Sequence, residues 1–190
     1  MGREFQYDIM EEIKKRWSPR AFSEEKVNKD DLYAIFEAAR FAPSCFNEQP
    51  WKYIIAEDEK DLSVMRKFMF DGNRIWADKA QVLALVISNN TFWNGKKNRW
   101  NQFDAGTSWG YLSLEAQRRG LITHAMGGFD RKKVRKELNI SDKYDIIAMI
   151  AIGKMGNKEN LPKDIKEREK PGLRAPLNKS LINLNYFKDK

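Results

Sequence analysis

Cysteine occurs once in the chain, at Cys45, and histidine once, at His124. A single thiol excludes an intramolecular disulfide and cannot by itself build a metal site, so no metal is expected. His124 has no serine, cysteine or metal-ligand constellation around it in the sequence, and a structural role is expected for it. Long apolar runs are also missing, since none reaches the ~18 residues that cross a bilayer. Charge begins at Arg3 with no apolar stretch behind it, unlike a secretory signal. Gly2 is followed at position six by Gln6, where N-myristoylation wants a hydroxyl residue. These absences lead us to expect a cytoplasmic protein with no membrane partner.

Charge, by contrast, is abundant: 35 Lys and Arg against 27 Asp and Glu, a net +8. The basic runs (Lys14-Lys15-Arg16, Lys96-Lys97, Arg118-Arg119, Arg131-Lys132-Lys133) are scattered and surround no nucleic-acid-reading motif. A solvated surface with local anion binding is expected, and no nucleic-acid partner. With 190 residues, 42% of them hydrophobic, the chain can bury one substantial core.

The periodicity gives a mixed order of elements. Residues 7–15 read as a short helix with Ile9, Met10 and Ile13 on one face. Asn28 can cap a second helix that carries Leu32, Ile35, Phe36 and Ala39 and closes at Pro43. A strand over 51–56, a helix over 58–70 and a fully buried strand over 82–88 follow. Residues 89–101 read as a loop or irregular helix. A long helix over 104–119, rich in small residues, stops at Gly120. The remainder is a strand over 121–125, a turn at 126–129, a helix from Asp130 to about Leu138 and a buried strand over 146–152. After Gly156 the chain is polar and lysine-rich, with three prolines. Such a stretch does not build a core alone. The sum is α+β, about four strands and five helices.

Five segments offer chemistry. Arg16-Trp17-Ser18-Pro19-Arg20 sets two guanidinium forks around a hydroxyl and a stiff turn, which suits a phosphate. The same residues equally suit a helix C-terminus with cations at the negative end of its dipole. The loop 42–51 (Ala42-Pro43-Ser44-Cys45-Phe46-Asn47-Glu48-Gln49-Pro50-Trp51) holds amides and hydroxyls that could meet a heteroaromatic edge or merely close their own turn. Gly72-Asn73-Arg74 precedes the buried strand. Gly127-Gly128 lets backbone approach a flat ligand, or serves a tight turn. Arg174 sits in a proline-braced segment, 171–177.

Taken in order, the segments carry more than each does singly. R-x-S-x-R, A-R-x-A-P-S-x-x-N-x-Q-P-W, a G-N before the buried strand, D-x-G opening a long helix that ends R-G-L, G-G-F-D, I-A-I-G and a late arginine span essentially the whole chain. This sequence resembles the nitroreductase family of FMN enzymes. The resemblance implies an α+β sandwich with a mainly antiparallel sheet flanked by helices, forming an intertwined homodimer. Residues 1–156 would be the FMN-binding core and 157–190 a C-terminal arm on the partner subunit. It implies that Arg16, Trp17, Ser18 and Arg20 reach the flavin phosphate and ring edge, with Arg174 as the late phosphate arginine. Ser44 and Asn47 would come from the other subunit, Asn73 would meet the isoalloxazine, and Gly127 and Gly128 would face the ring. Phe46 falls at a substrate-facing position. Trp93 and Trp100 are expected to line or cover the substrate site, because exposed tryptophan is costly without purpose. No side chain needs a catalytic role, because the flavin carries the redox step. Cys45 is expected to be a small buried residue rather than a nucleophile.

The implied activity is transfer of hydride from NADH or NADPH through FMN to a nitroaromatic, quinone or similar small acceptor. Two other readings share the scaffold: a reductase or dehalogenase for one specific substrate, and a flavin-binding protein without efficient turnover.

Overall fold

The computed structural model describes residues 3–184 and 186. Its elements run α1 (Glu11–Lys15), α2 (Lys29–Arg40), β1 (Trp51–Ala56), α3 (Glu59–Arg66), α4 (Asp71–Ala77), β2 (Val82–Asn89), α5 (Asn101–Arg118), β3 (Leu121–Met126), α6 (Arg131–Glu137), β4 (Tyr144–Lys154) and α7 (Lys163–Lys166). The four strands form one sheet in the order β1-β2-β4-β3, and every neighbouring pair is antiparallel.

The apolar run of β2 is explained by helices on both faces. Side chains alternate across a pleated strand. Val82, Ala84 and Val86 therefore enter one layer with Leu32, Ile35 and Ala39 of α2 and with Leu112 and Ala116 of α5. Leu83, Leu85 and Ile87 enter the opposite layer with Leu62, Met65, Trp76 and Val134. β4 divides in the same way, Ile150 and Ile152 joining the first layer and Met149 and Ala151 the second. The expected helix starts hold: Asn28, Asp58 and Asp130 each accept a backbone N–H from their first turn. Gly120, at φ +71°, ends the long helix in the left-handed conformation that glycine adopts without penalty.

Several boundaries differ from the reading of the sequence. α1 begins at Glu11, and Ile9, Met10 and Ile13 are exposed rather than packed on their own chain. The span 58–70 is not one helix. α3 stops at Arg66, because Phe68 and Met69 are drawn into the core. There the Phe68 carbonyl accepts from the Asp130 N–H at 2.8 Å, and Met69 bridges to Phe129. A separate helix, α4, then carries Gly72, Asn73 and Arg74, which the sequence reading left outside any helix; glycine in its first turn weakens the local signal. Residues 91–97 form a tight hairpin, with the Phe92 N–H on the Lys96 carbonyl and Gly95 at φ +81°. The long helix starts at Asn101, and β4 extends beyond 146–152 at both ends. Part of the tail packs on its own chain, since Ile165 of α7 is 2% exposed and belongs to the core.

Leu85 is fully buried at the centre of β2. Leu85→Ala is expected to lower the unfolding free energy by about 2–5 kcal/mol, the usual range for a truncated core leucine. Urea titration followed by circular dichroism checks it, and a loss well below that range would mean that the two layers close around the gap.

Candidate active site

Three groups of side chains gather the residues singled out in the sequence. The first surrounds a cavity of about 290 Å³ whose wall carries the cations Arg3, Arg16, Arg20, Arg168, Lys170 and Arg174. Trp17, Ser18 and His124 complete much of the lining. The loop leaving α1 turns Arg16 inward, where its Nη1 donates to the Trp17 carbonyl at 3.0 Å and reaches Ser18 Oγ at 3.4 Å. Burial, and then the neighbouring charges of Arg3 and Arg174, lower the pKa of Arg16. An arginine stays charged even so.

The tail is fastened to this loop by one carboxylate. Glu169, its side chain 3% exposed, accepts the backbone N–H groups of Arg20 at 2.7 Å and Ala21 at 2.9 Å through Oε1. Its Oε2 lies 3.9 Å from Arg20 Nη1 and makes no hydrogen bond among the described residues. Arg20 lies over Trp76 of α4, 5.9 Å from the ring, and Trp76 packs on His124 of β3 with centroids 4.5 Å apart. His124 Nδ1 lies 2.9 Å from the Pro19 carbonyl, an acceptor, so this nitrogen carries the proton. The expected structural role of His124 thus has a location, on the wall of the basic cavity.

The second group is the turn after β3. The Gly128 carbonyl accepts from the Phe70 N–H at 3.1 Å and from Asn73 Nδ2 at 3.0 Å. A Cβ on Gly128 would stand 2.6 Å from Asn73 Nδ2, so a side chain there would push the Asn73 amide aside. Gly127 is more open: a Cβ there meets only Arg131 Nη2, at 3.7 Å. Asn73 therefore has its amide nitrogen committed to the turn. α4 carries both Asn73 and Trp76, and β3 runs from His124 into Gly127, which joins the second group to the first.

The third group is the loop between α2 and β1. Phe46, Asn47 and Gln49 all have positive φ (53°, 57° and 48°), a conformation that costs a bulky residue such as Phe of order 1–3 kcal/mol. Ser44 Oγ accepts the Gln49 N–H at 2.9 Å, and the Cys45 N–H donates to buried Asp104 at 3.1 Å. These bonds hold Phe46 outward, 84% exposed, with its ring edge-on to Phe92. The hairpin leans on the same loop, its Trp93 N–H reaching Glu48 at 3.4 Å. Trp93 is 85% exposed. Trp100 lines an apolar hollow of about 200 Å³ with Pro43, Ser44, Cys45 and Phe103. Cys45 is half-buried there rather than buried. Phe46, Trp93 and Trp100 thus cluster as aromatic surface, but neither they nor Ser44 and Asn47 line the basic cavity of their own chain.

Reading the sequence missed Arg3, Trp76 and Glu169. A lone basic residue near the N-terminus, a tryptophan in an unforeseen helix and one acid among many in a polar tail give no local signal. Asp104 was visible only as part of D-x-G.

An antiparallel α+β sandwich with a cationic cavity beside a glycine turn defines an anion-binding site on a layered scaffold, and comparison with known proteins says to which family it belongs. The nitroreductase family model matches residues 13–85 and 71–154. A solved structure described as an oxidoreductase containing FMN is 35% identical, covers 97% of this chain and 96% of its own, and superposes with a TM-score of 0.92. An iodotyrosine deiodinase from Thermotoga neapolitana is 25% identical over 204 residues, covering 95% of this chain and 98% of its own. A protein named NADH dehydrogenase from Thermus thermophilus is 25% identical over 169 residues, covering 73% and 82%. The chain belongs to the nitroreductase family of oxidoreductases.

His124 provides a test of the cavity wall. Burial, the main cause, disfavours the charged imidazole and lowers its pKa below 6.5, and the charge of Arg20 acts in the same direction. The unfolded chain then takes up the proton first as pH falls, so the contribution of His124 is complete above about pH 6.5 and declines as pH drops through that value. His124→Asn is expected to lose less unfolding free energy than the unchanged protein between about pH 7.5 and about pH 5.5. Equal losses would mean that the imidazole titrates as it does in water.

Proposed function

We propose that this chain is an FMN-dependent oxidoreductase that takes reducing equivalents from NADH or NADPH and passes them to a nitroaromatic, quinone or similar small acceptor. The observation that carries the reading is a cavity wall where Arg16 and Arg174 stand together without a carboxylate partner among the described residues. Like charges so placed repel, and a bound phosphate group converts that repulsion into attraction. Ser18 adds a hydroxyl donor and Trp17 and Arg20 flank it. Gly127 leaves backbone open for a flat ring, and Asn73 keeps its amide oxygen for a ring N–H. When bound, FMN supplies the redox chemistry, so these residues have only to grip, orient and cover it. The FMN named for the solved relative at 35% identity supports this cofactor, and the NADH of the Thermus protein's name supports the donor.

The second part of the reading is a homodimer. Ile9, Met10 and Ile13 around α1, and Leu173, Leu177, Leu181, Ile182 and Leu184 in the tail, expose more large apolar surface than a lone chain normally tolerates. An arm formed by residues beyond Glu169 and wrapped on a partner would bury it. Ser44, Phe46 and Asn47 would then approach the partner's basic cavity, with Trp93 and Trp100 over the acceptor. The strained loop, anchored through Ser44 and Asp104, suits that presentation. The deiodinase relative, matched over 98% of its length, favours a second reading at the same site: reductive dehalogenation of one specific substrate.

Purified protein is expected to be yellow and to bleach on anaerobic addition of NADH or NADPH. Flavin that stays oxidised with both would leave a binding protein, and no flavin after incubation with FMN would overturn the reading. Arg16→Ala and Arg174→Ala are each expected to weaken FMN binding by about 1.5–3 kcal/mol, roughly tenfold to a hundredfold in Kd. Fluorescence titration measures it. Gly128→Ala is expected to displace Asn73 and shift the visible spectrum of bound flavin while leaving FMN affinity within about tenfold; an unchanged spectrum would remove Asn73 from the ring's surroundings.

A further inference from the structure

Arg3 lies outside every motif of the sequence, yet its side chain reaches the basic cavity. Its Nε donates to the Gly172 carbonyl at 3.2 Å, and its Nη1 donates to the carbonyls of Arg16 at 2.7 Å and Lys14 at 3.3 Å. Those bonds use two of the three guanidinium nitrogens. Nη2 has no partner among the described residues. Arg16 and Arg174 are arranged alike. Arg16 uses Nη1 on the Trp17 carbonyl and Ser18, while Arg174 uses Nη1 on the carbonyls of Gly172 and Leu173. Three guanidinium groups thus arrive from three distant parts of the chain. Each has at least one nitrogen tied to backbone and another without a hydrogen bond among the described residues.

None of the three has a carboxylate within 4.0 Å among the described residues, although Arg20 and Arg168 on the same wall do. Mutual repulsion acts among them: after burial, the largest cause, the charge of Arg174 lowers the pKa of Arg3, and the charges of Arg3 and Arg174 lower that of Arg16. A wall of this kind calls for an anion with several acceptor oxygens. A phosphate monoester carries about −1.5 to −2 charge at pH 7 and three such oxygens.

We propose that Arg3 is a third phosphate-binding guanidinium and sets the preference of the site for FMN over phosphate-free riboflavin. This rests on the FMN reading above. Arg3 also joins the N-terminal segment to the Arg16 loop and to the tail through its carbonyl bonds. The phosphate is then the common counter-ion at which those three stretches of chain meet.

The test measures Kd for FMN and for riboflavin, by flavin fluorescence with the flavin-stripped full chain, in the unchanged protein, Arg3→Gln and Arg3→Lys. Arg3→Gln keeps an amide able to donate to the Arg16 carbonyl and removes the charge. Its FMN-to-riboflavin affinity ratio is expected to fall at least about tenfold, the scale of one charge-assisted hydrogen bond, with riboflavin affinity unchanged. Arg3→Lys keeps the charge without the fork, and its ratio is expected to lie between the two. An unchanged ratio in Arg3→Gln overturns the proposal. So does an equal loss of both flavins, which would make Arg3 only a brace for the tail. If the unchanged protein takes up neither flavin, the FMN reading has failed by itself. Arg3 is then judged by thermal denaturation with inorganic phosphate, which must raise the midpoint of the unchanged protein more than that of Arg3→Gln. Equal shifts would overturn its role as a phosphate ligand.

Discussion

Positive charges crowded on one wall repel one another unless something holds them in place or an anion joins them. In this protein the holding is done by backbone carbonyls. Arg3, Arg16 and Arg174 each donate to main-chain oxygen, so that their geometry is set before any ligand arrives. Donors preorganised in this way have little freedom left to lose on meeting an anion. Much of what surrounds the wall follows from the need to keep it assembled. The buried carboxylate of Glu169 clamps the tail to the Arg20 loop, and Ile165 anchors that tail in the core.

The sheet supplies the frame on which this wall is mounted. Two helical layers cover the central strands β2 and β4, which leaves the ends and edges of the sheet to carry function. β3, at one edge, runs from His124 on the cavity to the glycine turn. α4 lies across that junction, with Trp76 against His124 and Arg20 while Asn73 holds the Gly128 carbonyl. One short helix therefore couples the basic cavity to the glycine turn. The aromatic loop and hairpin stand apart from this unit. The loop lines a different hollow from the basic cavity of the same chain.

Much of this was legible without coordinates. The continuous apolar run of β2, the caps at Asn28 and Asp130 and the stop at Gly120 are local signals, each with a local cause. R-x-S-x-R and the loop from Pro43 to Trp51 are also local, and they carry the family resemblance. Less legible was any feature whose cause lies far along the chain. Phe68 and Met69 continue a helical pattern, yet they close as turns and pair with 129–130 instead. α4 contains a glycine that argues against it, and packing of Trp76 and Ala77 into the core outweighs that propensity.

By itself, then, the sequence determined the fold class, the layered core and the set of residues that belong to one family of chemistry. Periodicity and capping act over a few residues and are written in order along the chain. Only the tertiary structure decided that Arg3 shares a wall with Arg16 and Arg174, because it is brought there by bonds to the Arg16 and Gly172 carbonyls rather than by any spacing. It alone separated the aromatic group from the basic one. Contacts between residues more than a hundred positions apart, such as Arg3 on Gly172 and Glu169 on Arg20, leave no periodic trace and exist only once the chain has folded.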